Sequence, residues 1–219
     1  MADGPELPTE STLADGTEIE SQDISAAELS PSARIGGILF RNRGWLPILF
    51  LGVPILARGT TSPGRWIIGG FLIALGELFR LAGVAAAGTT TRRRSRTVHR
   101  LVTYGIFAWS RNPLYNGNFF VWIGFCVISG VLWFLPFAVL LFAAEYSFIV
   151  RYEEGVVESP FGREYLDYKH DVPRWLPSKP ENPEKGEHDW GEAWRSEIST
   201  FLQYGVLIAA FLVKDRVMK

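Results

Sequence analysis

The sequence predicts an all-α integral membrane protein with about four to five membrane helices and a polar cap at one face. Three observations predict it. A mean hydropathy of +0.11, with 8 Trp and 15 Phe among 219 residues, is too apolar for an average soluble domain. Several apolar runs approach the ~20 residues that a helix needs to cross the hydrocarbon layer. Two polar, turn-bearing clusters, at 99–115 and 151–173, fall where such runs meet polar sequence.

Residues 1–33 carry eight acidic residues and no Lys or Arg, so the rest of the chain holds +7 against a net charge of −1. This leader is rich in Ser, Thr, Pro and Gly, and its apolar residues keep no helical period. It is expected to be a disordered acidic tail, because it cannot bury enough surface to offset the entropy of ordering. It lacks the basic start and apolar block of a signal peptide. Next, Gly44 to Ala57 is apolar but short and contains Pro47 and Pro54; it spans only if Ile35 to Phe40 joins it across Arg41 and Arg43.

Trp66 to Ala87 is the first span of full length, interrupted by Glu77 and Arg80. Three residues apart, these share a helical face and can pair. A charged pair inside a span belongs against protein or a watery cavity, whether as a salt bridge between helices or as part of a site. Leu114 to Trp133 and Leu135 to Val150 follow as a helical hairpin around the turn Gly130 to Pro136. Ile198 to Val213 is a 16-residue apolar segment that fits a short span, an interfacial helix or a helix packed on the others. The expected organisation is an acidic tail over 1–33, a membrane-embedded domain over 34–177, a polar linker over 178–197 and an apolar helix over 198–219.

Charge orients these elements. Arg92, Arg93, Arg94, Arg96 and Arg100 cluster after the first full span, and cytoplasmic loops are enriched in such residues. Both polar clusters then fall on the cytosolic side. By the same rule Lys214, Arg216 and Lys219 prefer the cytosol and argue against a simple outward crossing of the last helix. The Arg run beside a span reads as a topology signal or an anionic-lipid contact rather than a nucleic-acid surface. The single cysteine, Cys126, sits in an apolar run as a packing residue, and no cysteine-rich metal site exists.

In the first cluster, Gly105 breaks the helical pattern and Pro113 disfavours the α conformation at Asn112. Irregular backbone at a membrane is tolerated where it lines a cavity or is buried in protein. Arg111, the turn and Tyr115 offer a fork of donors, free backbone groups and an aromatic face, suited to a ligand with a carboxylate or phosphate. The same residues also suit an interfacial anchor. In the second cluster, Val150 to Ser159 continues the preceding helix as far as Pro160 and Gly162. Its adjacent Glu153 and Glu154 point about 100 degrees apart, so they serve different partners rather than sharing a proton.

The joint pattern is more specific than either half. Leu101-Val102-Thr103, Gly105, Ala108-Trp109, Arg111, Pro113, Tyr115 and Gly117 are followed by Glu153-Glu154, Phe161-Gly162, Glu164-Tyr165, Tyr168 and Val172-Pro173. In this order and separation they resemble the isoprenylcysteine carboxyl methyltransferase family, over roughly residues 66–177. The resemblance implies an integral membrane enzyme that transfers methyl from S-adenosyl-L-methionine to the carboxylate of a prenylated cysteine; the wider group includes phospholipid N-methyltransferases. It further implies that His99, Arg100, Leu101, Val102, Phe107, Asn112, Pro113, Leu114 and Tyr115 line the cofactor pocket and that Glu153 contacts the cofactor. Arg111 would brace the turn or meet the charged end of the cofactor.

This sequence departs from the family in two places. The commoner Arg-His-Pro is here Arg-Asn-Pro, so a role needing imidazole is lost, although Asn112 still donates and accepts hydrogen bonds. The substrate-facing Arg of the family lies about one helical turn before the glutamates, whereas Arg151 is two residues before Glu153.

A sulfonium methyl is already activated, so the site chiefly has to align an in-line attack and exclude water. A carboxylate acceptor needs an orienting cation, for which Arg151 or Arg111 is the candidate. An amine acceptor needs a base, for which Glu154 is the candidate. The lipophilic acceptor is expected from the bilayer and the cofactor from the cytosol, with membrane lipids as the surroundings and no nucleic acid or metal. A membrane reductase using NADPH, whose relatives share a similar Arg-x-Pro-x-Tyr pattern on longer chains, and a non-catalytic membrane adaptor are the other readings. Nothing in the sequence fixes the oligomeric state.

Overall fold

The computed structural model describes residues 30–44, 46–88, 100–180 and 185–217, and the side chains of these apart from 46–49. Residues 1–29 of the expected acidic tail, the Arg92 to Arg96 run and His99 lie outside the described residues, whereas residues 31–33 of that tail already belong to the first helix, capped by Ser30. The described residues form six α-helices: α1 Pro31–Asn42, α2 Leu46–Leu56, α3 Pro63–Ala87, α4 Pro113–Ser129, α5 Leu135–Asp171 and α6 Trp190–Val217. Short 3-10 turns at Gly105–Ala108 and Leu132–Phe134 accompany them, and no strand occurs among the described residues.

Local sequence sets the helix ends. α1 and α3 each begin with Pro in the first turn behind a serine cap: Ser30 Oγ accepts from Ala33 N and Ser62 Oγ from Arg65 N, both at 3.3 Å. α4 stops at Gly130, whose φ of 72° is left-handed. A Cβ there would strike the Thr60 backbone, so both the turn and its packing require glycine.

The expected spans at 66–87, 114–133 and 135–150 correspond to α3, α4 and the first part of α5. Two expectations change. The segment over 35–57 is two helices, α1 and α2, broken around Arg43 and Gly44, rather than one span. The last helix starts at Trp190, not Ile198, because Asp189 Oδ1 accepts from Glu192 N at 2.7 Å and caps a new first turn inside the expected linker. Among the described residues, three helices are long and apolar enough to cross a membrane: α3, α5 with the turn before it, and α6. α4, at 17 residues, packs against α3.

α3 and α4 approach closely through glycines spaced by seven. Gly69 and Gly76 of α3 face the backbone oxygens of Gly124 and Gly117 of α4, and Gly83 faces Leu114. Small residues permit this contact where no water drives helices together. Outward-facing Ile67, Ile68, Phe71 and Leu78 of α3, Leu140 and Leu141 of α5, and Leu212 and Val213 of α6 remain exposed. Such a belt suits contact with lipid.

α6 runs the length of the bundle. Its start lies by the C-terminus of α3, where Asp189 N donates to Ala85 O at 2.9 Å. Its other end lies by the α4–α5 turn, where Lys214 Nζ donates to Pro54 O at 2.6 Å and Ser129 O at 3.2 Å. Asp215 accepts from Thr61 N at 3.1 Å and from the Thr61 hydroxyl. The basic end of α6 is therefore opposite the polar cap, contrary to the expectation from charge. Lys214 is buried on two carbonyl oxygens at helix ends and is no free topology signal.

Candidate active site

The cap forms where the loop before α4 meets the segment after α5. Arg111 N donates to Pro173 O at 2.9 Å and Ser178 N to Trp109 O at 3.0 Å. Ser110, fully buried, places its hydroxyl 3.1 Å from Trp175 O and 3.3 Å from Arg174 O. Asn116 Nδ2 donates to Trp175 O at 2.8 Å and to Ser110 Oγ at 3.0 Å, and Asn112 Nδ2 to Arg174 O at 3.0 Å. Asn112, at the position the family more often gives to His, thus serves as a donor that ties the two segments together.

α5 is kinked at Gly162 (φ 46°, ψ −115°), near the expected stop, and then continues to Asp171. The kink lets Tyr165 and Tyr168 fold under the first loop. Tyr168 donates its hydroxyl to Phe107 O at 2.9 Å.

A cavity of about 1120 Å³ lies beneath this cap. Arg100, Leu101, Val102, Phe107, Arg111, Asn112, Pro113, Leu114, Tyr115, Glu153 and Glu154 all line it, so the structure gathers these candidates around one space. Glu153 Oε1 accepts from the Tyr115 hydroxyl at 2.7 Å and lies 3.8 Å from Arg43 Nη1. Glu154 is held by two guanidinium groups: Arg111 Nη1 at 3.1 Å, and Arg174 through Nε at 2.9 Å and Nη2 at 2.7 Å. The adjacent carboxylates do serve different partners.

Arg151 does not join them. It is exposed, its guanidinium lies 6.0 Å over the Phe148 ring, and it is absent from the cavity wall, because two residues before Glu153 is the opposite side of the helix. The cations at the cavity are instead Arg43, Arg80, Arg100 and Arg111. Arg43 and Arg174 are functional candidates that sequence reasoning missed. Two buried carboxylates side by side require cations, and Arg174 directly follows the Val172-Pro173 motif.

Below the cap the cavity turns apolar. Leu51 and Ile55 of α2, Val121, Trp122 and Phe125 of α4, and Val206 and Leu207 of α6 line it. Between the two zones sit Arg80, Asn118 and Tyr146. Arg80 Nε is 3.0 Å from Glu77 Oε1, its Nη2 reaches both Glu197 oxygens at 3.0 and 2.8 Å, and its Nη1 donates to Asn118 Oδ1. The Glu77–Arg80 pair read from the sequence thus bridges α3 to α6, and its Arg80 is part of the cavity wall.

A helical bundle with a polar shelf opening into an apolar channel defines a membrane protein with room for an amphiphilic molecule. The comparisons narrow this class. The family model described as phospholipid methyltransferase matches residues 65–164. The Arabidopsis thaliana protein-S-isoprenylcysteine O-methyltransferase B is 31% identical over 157 residues, covering 65% of this chain and 78% of that protein. The mouse protein-S-isoprenylcysteine O-methyltransferase is 36% identical over 115 residues, 48% of this chain and 39% of that protein. The human protein of the same name is 34% identical over 120 residues, 51% of this chain and 40% of that protein. The chain belongs to the isoprenylcysteine carboxyl methyltransferase family, and it spans about two fifths of the mammalian relatives it matches.

Proposed function

We propose that this protein transfers the methyl group of S-adenosyl-L-methionine to the carboxylate of a prenylated cysteine, with the cap facing the cytosol. The observation that carries the reading is the single cavity joining the polar shelf to the apolar channel between α2, α4 and α6. A water-soluble donor and a lipid acceptor can meet there. The Arg-rich run after α3 supports the cytosolic orientation of the cap.

The residues present fit the cofactor. Arg111 lines the cavity, and its buried Nε lacks a hydrogen-bond partner among the described residues; the guanidinium suits the carboxylate of the cofactor's amino-acid end. Leu101 and Val102 line the cavity in an extended segment whose backbone donors and acceptors are unused within the described chain, which suits an adenine edge. Glu153 can accept from the ammonium or the ribose hydroxyls. When bound, the cofactor supplies an activated sulfonium methyl.

The chain's residues then have to orient an ionised carboxylate and keep water out. Arg43, which lines the cavity beside Glu153, is the guanidinium we assign to that carboxylate, in the role the sequence suggested for Arg151, because Arg80 is already held by Glu77, Glu197 and Asn118. Glu154 braces Arg111 and Arg174 across the cap. Neutralised by two cations, it is poorly placed as a general base. This favours a carboxylate acceptor, which needs no base, over a phospholipid amine, which does.

The test is calorimetric titration of the detergent-purified protein with S-adenosylhomocysteine, with NADPH in parallel, followed by labelled-methyl transfer to farnesylcysteine. Saturable binding of S-adenosylhomocysteine alone, with transfer to farnesylcysteine, is the expected result. Binding of NADPH alone would turn the reading to a reductase, and methylation of phosphatidylethanolamine instead would turn it to the amine acceptor. Silence with both ligands would indicate an adaptor.

A further inference from the structure

α6 lies outside the segment matched by the phospholipid methyltransferase model, yet it forms a wall of the cavity. It is pinned at three points. Near the cap, the fully buried Glu197 holds Arg80; midway, the Tyr204 hydroxyl donates to Glu77 Oε1; at the other end, Lys214 and Asp215 hold Pro54, Ser129 and Thr61. Another face of the helix between these ends is loosely covered. Ser199, Leu202, Gln203 and Val206 line the cavity while remaining exposed. Their spacing places them on one face of the helix. Ser199 and Gln203 make no side-chain hydrogen bond to the rest of the described chain, so an apolar helix presents two polar side chains to the cavity margin without protein partners. At membrane depth such groups call for a polar ligand or water.

We propose that α6 is the acceptor-selecting wall of the site. Ser199 and Gln203 hydrogen-bond the polar head of a single-tailed amphiphile, and Val206, across from Leu51 and Ile55 of α2, borders its tail. The proposal rests on the methyltransferase reading and adds to it the helix that decides which lipid fits.

Cavity size argues for a single tail. Pockets for drug-sized ligands run to about 1,000 Å³, and this cavity of about 1120 Å³ must hold the cofactor together with the acceptor's head. The remainder suits one slender chain rather than two acyl chains. The floor of the channel is closed by Phe125, which stacks on the fully buried Phe211 at 6.1 Å, just above the Lys214 contacts. A tail therefore gains access from the side, past Val206, rather than from below.

The experiment compares wild type with Val206→Trp and Gln203→Leu. Val206 is 70% exposed, so a larger side chain narrows the channel without repacking the bundle. Affinity for S-adenosylhomocysteine and thermal stability are expected to be unchanged in both variants. Val206→Trp is expected to lower kcat/KM for farnesylcysteine about tenfold and for a shorter geranyl analogue much less. Gln203→Leu is expected to raise the acceptor KM about threefold or more with kcat retained.

A diazirine-bearing farnesylcysteine provides a readout independent of turnover. In wild type loaded with S-adenosylhomocysteine it should label α6 between Leu202 and Leu207, and excess farnesylcysteine should suppress the labelling. Unchanged acceptor kinetics in both variants, or labelling confined to other helices, overturns the role of α6 and leaves the methyltransferase reading intact. Failure of wild type to bind S-adenosylhomocysteine strikes the reading itself, while the same probe applied to the unloaded protein still reports whether α6 borders a prenyl site.

Discussion

Arg174 grips Glu154 with two nitrogens, Nε at 2.9 Å and Nη2 at 2.7 Å, and ties the segment after α5 back to the helix it leaves. Arg111 approaches the same carboxylate from the other polar cluster. One carboxylate thus closes the cap from both sides. Breaking a buried pair costs roughly 3–5 kcal/mol when a charge is left uncompensated. The Arg174 side chain is 37% exposed, so its share is screened. Glu154→Ala is expected to destabilise by about 2–3 kcal/mol, and Arg174→Ala by about 1 kcal/mol because Arg111 still faces the carboxylate. Thermal unfolding in detergent checks the order; equal losses would contradict the two-sided arrangement.

Glu153 is positioned differently, under the shelf and against the Tyr115 hydroxyl at 2.7 Å. If it contacts the cofactor, Glu153→Ala removes a hydrogen bond to a charged group, about 1.5–3 kcal/mol, or a ten- to hundredfold loss of S-adenosylhomocysteine affinity. Membrane insertion and folding should persist. Tyr115→Phe leaves the carboxylate in place and should cost less. Calorimetric titration separates the two, and wild-type affinity in Glu153→Ala would remove the residue from the cofactor site.

Much of this arrangement is legible in the sequence because it is local. The apolar runs place α3, α4 and α5, and the chain punctuation at Pro113, Gly130 and Gly162 marks their breaks. The shelf residues from Arg100 to Tyr115 and the Glu153-Glu154 pair could be gathered through the family pattern. What was not legible depends on contacts between distant segments. Arg43 reads as an interruption of an apolar stretch until α1 brings it to Glu153. Lys214 reads as a cytosolic charge until two helix ends are seen to receive it. Arg151 reads as a substrate partner until the helical phase turns it outward. The heptad spacing of Gly69, Gly76 and Gly83 was available as a signal of close helix contact.

Ser110 is the hub of the cap, touching the carbonyls of Arg174 and Trp175 and accepting from Asn116 Nδ2 at 3.0 Å. Ser110→Ala removes these bonds while Trp175 O keeps Asn116 Nδ2 and Arg174 O keeps Asn112 Nδ2, so the cost is about 0.5–1.5 kcal/mol. Because the lost contacts join the two segments that cover the cavity, cofactor affinity should fall along with stability. Hydrogen exchange should rise at the Arg111 and Ser178 amides, which donate across the same seam. Exchange confined to residues near 110 alone would show that the seam does not act as a unit.

The α3–α4 contact offers a test with an internal control. A Cβ on Gly76 would meet the Gly117 carbonyl oxygen and lie 2.8 Å from Val121 Cγ2, whereas a Cβ on Gly70 meets nothing within 4 Å. Backbone cannot yield as a flexible side chain can, so Gly76→Ala must push the two helices apart, at about 1–3 kcal/mol for overpacking. Gly70→Ala only trades glycine for a better helix former and should be neutral or stabilising by about 0.5–1 kcal/mol. Leu114 and Tyr115 begin α4 and line the cavity, so the displacement should reach the shelf. The expected result is a lower Tm in detergent and weaker S-adenosylhomocysteine binding for Gly76→Ala, with both retained for Gly70→Ala. Equal tolerance at the two positions would mean that the close approach of α3 and α4 does not hold the shelf in place.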